Sequence, residues 1–352
     1  MPVADSAPRL AVRGSPMPGE SLKGYVLRLA QANGHPDMRW LLNAAGLSST
    51  FAWQRCDLHH LSSLSGANVG LLEAMACWPV PGRTNRVLFG TQALPATALD
   101  LVHPRACAGC VEEDGIARQL WDLKVCVACT KHRCLLVDTC PHCGARLTWI
   151  RPGLARCRCG RPWTEAPVVP ASAAALDVTA LLERALASIP GPNVTPASRL
   201  HTLAMVVLFV TFFGSDHRSP HWRSSVMTKG GLANDVATAE SAARLFVDWP
   251  KSLYAWLDRN GRNMDGQVGL QAEFGHVLPR LRAVFDEESF SFLYSAARQY
   301  FADHWNHGIV KRRSVFYVAP DSPRHISGAR AAEALAGRGK TNIFRLFASA
   351  EA

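Results

Sequence analysis

A chain of 352 residues, 48% of them hydrophobic, has ample material for a buried core, and its length suits two or three folding units. Its longest apolar run, from Thr202 to Phe213, is too short to cross a bilayer, and the opening MPVADSAPRLAVRGSP lacks the apolar stretch of a secretory signal, so no membrane role is expected. A formal net charge of +10 favours polyanionic partners, nucleic acid first among them, with a basic surface kept for solubility as the alternative.

Helical periodicity opens the chain. Between Glu20 and Asn33, the residues Leu22, Tyr25, Val26 and Leu29 fall at i, i+3, i+4 and i+7, and Gly34 with Pro36 ends the pattern. A second short helix fits Met38 to Ala45, stopped by Gly46, and a third fits Leu61 to Ala76, before Trp78-Pro79. Short helices joined by tight turns make a helix-turn-helix-like unit over 15–103, although small helical domains with other roles share the pattern.

From 104 to 167 the helical period disappears and Cys, Gly, Pro and Arg dominate, as in a small core organised by metal. Nine of the eleven cysteines lie between Cys107 and Cys159; without an export signal they indicate a reducing, cytoplasmic compartment where thiols bind metal or pack rather than pair. Cys56 and Cys77, outside the cluster, read as buried thiols.

Beyond the cluster, PASAAALDVTALLERALASIPGP reads as one helix, Thr202 to Phe213 as an apolar core helix, and Ala233 to Asp248 as a third, ended by Trp249-Pro250. Glu288 to Trp305 forms a fourth, with Phe290, Leu293, Tyr294, Ala297 and Phe301 on one face. These make a C-terminal helical domain over 168–305. The basic tail, 306–352, carries the run Lys311, Arg312, Arg313. It also offers a weak second helix-turn-helix pattern, in which Ser327 caps one helix, GRGK turns, and Thr341 caps another. Lys311, Arg312, Arg313, Arg330, Lys340 and Arg345 are its candidate nucleic-acid contacts. The fold class is therefore mainly α, with tandem zinc ribbons or fingers in the middle.

Tetrahedral zinc takes four ligands at about 2.0–2.3 Å, and a C-x-x-C turn supplies two from one loop. The half-sites are Cys107-x-x-Cys110, Cys126-x-x-Cys129, Cys129-x-x-His132, Cys140-x-x-Cys143 and Cys157-x-Cys159. Chain geometry leaves either Cys126 or His132 as the companion of Cys129. The compact turn CTKHRC favours His132, which puts Cys126 in a short apolar segment as a buried thiol and Cys134 at the head of a strand-like run.

Two structural zinc sites result, one from Cys107, Cys110, Cys129 and His132, the other from Cys140, Cys143, Cys157 and Cys159. Gly160 relieves the tighter second knuckle, and His142 points away from the ion. Glu112, Glu113 and Asp114 read as a solvated acidic turn. Arg146, Arg151, Arg156, Arg158 and Arg161 are candidates for one phosphate-facing surface. With four protein ligands at each site, neither offers the open position of a catalytic metal, and no catalytic residue is assigned.

The stretches PMPGESLKGYVLRLAQANG, RACAGCVEEDGIARQLWDLKVCVACTKHRCLLVDTCPHCGARL and RCRCG together closely resemble the TniQ family. The resemblance, over roughly residues 15–165, implies a non-enzymatic accessory protein of DNA transposition that selects or marks a target and recruits an AAA+ ATPase regulator, which brings the transposase. It also implies the same eight metal ligands and a homodimer. In some relatives, targeting information comes from a CRISPR effector; in others it comes from the protein's own reading of DNA. The short basic tail favours a compact adaptor. Two readings without transposition are a stand-alone zinc-containing DNA-binding transcription regulator and a zinc-dependent hydrolase.

Overall fold

The computed structural model describes residues 9–47, 55–187, 199–215, 231–260 and 277–306. Chain contacts divide the protein into two units, one of residues 1–191, 200–215 and 223–243, the other of residues 192–199, 216–222 and 244–352. Helices dominate, with eleven α-helices and two small sheets among the described residues. None of these helices is long and apolar enough to cross a membrane. The basic tail beyond residue 306, with its six candidate cations and its second helix-turn-helix pattern, lies outside the described residues.

The first unit begins with α1 (Leu22–Ala32), where Ser21 accepts a hydrogen bond from the Gly24 N–H at 3.0 Å and so caps one of the free donors of the first turn. Tyr25, Val26 and Leu29 are buried, as the periodicity predicts. The Asn33 side chain donates to the Leu29 carbonyl at the other end, and Gly34 turns the chain with φ 75°. A short α2 (Arg39–Ala44) follows, stopped at Gly46 (φ 68°).

The helix expected from Leu61 to Ala76 is two helices, α3 (Arg55–Ser65) and α4 (Val69–Met75). Gly66 adopts φ 74°, which an L side chain resists, and Asn68 restarts the helix by accepting from the Gly70 and Leu71 N–H groups at 2.8 and 3.3 Å.

A three-stranded antiparallel sheet comes next: β1 (Cys77–Val80), β2 (Arg83–Phe89) and β3 (Gln92–Pro95), in that order, turning at Gly82 (φ 71°) and Gly90 (φ 60°). Phe89 faces Cys77 on one side and Gln92 on the other. Cys77 is half-buried, on the β1 edge of this sheet, rather than fully enclosed, and the side chain of Cys56 lies outside the described residues.

After the cysteine-rich stretch, with α5 (Ala108–Asp114), β4 (Ala128–Cys129) and β5 (Cys134–Leu135), three helices complete the unit. They are α6 (Ala173–Leu186), α7 (Leu203–Phe213) and α8 (Leu232–Ala243), each packed on the other two; α6 also touches β4, and α7 touches β3. The α7 sequence is apolar all round because it sits inside this layer, with Val206, Val207, Phe209 and Val210 fully enclosed.

The expected helix from Ala233 to Asp248 stops at Ala243 and gives way to a 3-10 turn, Arg244–Phe246. Where α7 meets α8, a Cβ on Gly214 would lie 2.2 Å from the Thr238 carbonyl oxygen, so the backbones touch because this position has no side chain. Gly214→Ala is therefore expected to destabilise the protein by about 1–3 kcal/mol or more, measurable as a fall in the urea midpoint at constant m-value.

The second unit contains α9 (Lys251–Asn260), α10 (Val277–Val284) and α11 (Ser291–Asn306). Phe290, Leu293, Tyr294 and Ala297 are buried together, as their spacing predicts. Tyr294 donates to the Phe285 carbonyl at 2.8 Å and Tyr300 to Asp258 at 2.5 Å, so the phenols are satisfied while their rings fill the core.

Candidate metal centres

The first centre is assembled from a helix and a hairpin. Cys107 is the N-cap of α5 and Cys110 lies in its first turn, which points both sulfurs to the helix N-terminus, where negative charge is favoured. Antiparallel pairing of Ala106 with Val137, through hydrogen bonds of 3.0 and 2.8 Å, brings in the β4–β5 hairpin with Cys129 and His132.

Arg133 makes the tight turn with φ 52°. His132 Nδ1 lies 3.4, 3.3 and 3.6 Å from the sulfurs of Cys107, Cys110 and Cys129, and the Cys110 and Cys129 sulfurs are 3.6 Å apart. A tetrahedron with zinc–sulfur bonds of about 2.3 Å sets its sulfurs about 3.8 Å apart, so these four atoms converge as the ligands of a single ion would.

Two features of this centre escape the sequence reading. Glu113 is exposed, as the solvated acidic turn predicts, yet its Oε1 is 3.0 Å from His132 Nε2, so a histidine that offers Nδ1 to a metal donates its other N–H to this carboxylate. That contact fixes both the tautomer and the ring. Gly109 provides the second feature, since a Cβ there would stand 2.7 Å from His132 Nε2 and 2.8 Å from Cδ2. In Gly109→Ala the imidazole has to move, and weaker metal retention at this centre is expected at a cost of about 1–3 kcal/mol, read by chelator competition.

The second centre consists of two knuckles. In one, the Cys140 N–H donates to the Ala145 carbonyl and the Gly144 N–H to the Cys140 carbonyl; in the other, Cys157 and Arg161, then Gly160 and Cys157, make the equivalent bonds. Each ends in a left-handed glycine, Gly144 at φ 67° and Gly160 at φ 83°. The Cys140 and Cys159 sulfurs are 3.9 Å apart and those of Cys143 and Cys157 3.8 Å, matching the same tetrahedral spacing. His142 turns away, with its Nε2 3.0 Å from both the Pro162 carbonyl and Glu165.

In each centre the four candidate ligand atoms all lie within 4.8 Å of one another, a grouping that can hold a metal ion. Cys126 belongs to neither set; it is fully enclosed, and burial pushes its thiol up to about 12, which keeps it neutral. The Cys134 sulfur sits 3.7 Å from Cys107 but outside the ligand group.

Exposure separates the two centres: three ligands of the first are buried and the fourth half-buried, whereas Cys143 and Cys159 of the second are exposed. The five arginines do not form one surface. Arg151 is buried, and Arg146 leans on Asp100 (3.2 Å) and Asp138 (3.8 Å), while Arg156, Arg158 and Arg161 stay exposed.

Residues 11–136 match the family model described as TniQ. The chain carries a TniQ domain. The match associates this chain with transposition. No curated protein matches it. The TniQ match takes in α1 to α5, the three-stranded sheet and the complete first centre, and it ends before Cys140, leaving the second centre outside the matched residues.

Within the TniQ domain the first centre is tied to α1. The Ser21 N–H donates to the Ala117 carbonyl and the Gln119 N–H to the Gly19 carbonyl, both at 2.8 Å. A Cβ on Gly24 would come within 2.9 Å of Ala117. The segment that follows the α5 ligands is thus laced to the helix that opens the domain.

Proposed function

We propose that this chain is a non-enzymatic accessory protein of DNA transposition that takes part in target-site selection, linking target DNA or a targeting complex to an AAA+ ATPase regulator and its transposase. The observation that carries the reading is the TniQ match over residues 11–136. Both centres hold structural zinc in this reading: thiolates and imidazole are zinc's preferred donors, and four protein ligands leave no position for a reacting water. The ions then fix the shape of a docking scaffold whose first centre is laced to α1.

The N-terminal helices act as a helix-turn-helix-like unit in the same proposal, and phosphates are met by exposed Arg156, Arg158 and Arg161 together with Lys311, Arg312, Arg313, Arg330, Lys340 and Arg345. The protein works as a homodimer, and a CRISPR effector is one form the targeting complex takes. Reconstituted insertion with ATPase and transposase tests the role. Omitting this chain is expected to abolish target choice or lower efficiency, and unchanged insertion refutes it.

A further inference from the structure

Arg151 is 2% exposed, yet among the described residues no carboxylate pairs with it. Its Nε donates to the Gly153 carbonyl at 3.1 Å, while its buried Nη1 has no hydrogen-bond partner. The guanidinium lies 5.7 Å from the Trp149 ring centroid and 5.8 Å from that of Trp163. A guanidinium stays charged even when enclosed, so its burial is costly unless something nearby compensates it, and two indole faces do so weakly. Trp163, one of those two faces, stands on the hairpin that carries Cys157 and Cys159 of the second centre.

Local connectivity explains the neighbourhood. Arg156 pairs with Pro162, the Cys157 N–H donates to Arg161, and the Trp163 N–H donates to Ala155, so the hairpin that presents Cys157 and Cys159 also presents Trp163. Trp163 is held in turn by its Nε1–H on the Leu154 carbonyl at 2.6 Å. Arg151 therefore sits in a pocket built from the same hairpin as half of the ligand set.

We propose that Arg151 is the buried counter-cation of the second metal centre, a positioning residue that offsets the excess negative charge of four thiolates around one divalent ion. The charges fit. Four thiolates and a divalent cation carry about −2, whereas three thiolates, a neutral imidazole and the same ion carry about −1. The centre with the larger excess has the buried arginine; the other has Arg118, more exposed and paired with Asp114 of α5 at 2.6 Å. Because the charge belongs to the ion and its ligands together, the inference rests on the reading of this cluster as a metal site.

The test uses the full chain loaded with cadmium-113, whose resonances separate a four-thiolate from a three-thiolate centre, and follows the loss of each signal under excess chelator. Two resonances in the unaltered protein are the precondition; a missing four-thiolate signal refutes the metal reading itself, before Arg151 is tested.

Arg151→Met keeps the length and apolar stem but removes the charge, and it is expected to speed loss from the second centre by about 10- to 100-fold, the effect usual for removing an outer-shell partner, with the first centre unchanged. Arg151→Lys keeps the charge and is expected to restore retention to within several-fold of the original. Native retention in Arg151→Met overturns the proposal, as does equal acceleration of both centres. If both variants fail to fold, the guanidinium matters for its packing and hydrogen bonds rather than its charge, and the proposal is overturned.

Discussion

Cys110→Ser is expected to strip the metal from the first centre and unfold the TniQ domain around it, with loss of the cooperative thermal transition and of most helical circular dichroism. The donors come from three local structures, the start of α5, the end of β4 and the hairpin turn, which a bound ion would join. Structural zinc supplies on the order of 10–16 kcal/mol in small metal-dependent folds, which equals or exceeds the whole stability of an ordinary domain.

Damage should spread to α1, whose N-terminal segment is hydrogen-bonded to residues 117–119, just beyond α5. Cys143→Ser should act more locally, since its knuckles close on themselves and two of its ligands are exposed. A Cys110→Ser protein that melts as the original does would show that the first centre does not hold the fold together.

Asp235→Ala is expected to cost about 3–5 kcal/mol, the usual penalty for stranding one member of a buried ion pair. Asp235 on α8 accepts from Arg105 Nη2 at 2.7 Å, with the two side chains only 7% and 1% exposed. Arg105 begins the segment that leads into Cys107, and its Nη1 also donates to the Lys124 carbonyl at 2.9 Å, so one guanidinium ties the stretch that carries the first candidate centre to the helical layer.

The pair is costly as well as useful. Burial outweighs Arg105 and holds the Asp235 carboxyl above its ordinary range. Removing the carboxylate leaves a guanidinium whose Nε already lacks a partner. The combined change Arg105→Met with Asp235→Leu should therefore recover most of the loss, because no charge is then left unpaired. Urea denaturation of the single and double variants decides this, and a loss below about 1 kcal/mol in Asp235→Ala would contradict it.

The grouping of the eight candidate ligands was legible in the sequence because such clusters are written in short local motifs: two donors a few residues apart on one turn, with a glycine such as Gly160 where the backbone reverses. The enclosing contacts were not. Glu113 reads as part of an acidic turn until α5 aligns it with a histidine nineteen residues away, and Arg151 reads as one more basic side chain until two tryptophans cover it.

Periodicity located α1, α2, α6, α7 and α11 to within a few residues, since each buries one face or is enclosed altogether. It joined α3 to α4 because Leu61, Leu64, Leu72 and Ala76 keep an apolar rhythm across the break at Gly66. The three-stranded sheet was missed although PG and FGT mark its turns; its strands are short, and Pro79 interrupts the first.

The most direct measurement for the central claim is the metal content of the purified full chain, by native mass spectrometry together with elemental analysis. Two zinc ions per chain are the expected result, with the second centre surrendering its ion to a chelator first because Cys143 and Cys159 are exposed. A folded chain that carries no zinc, or a single equivalent, would contradict the account.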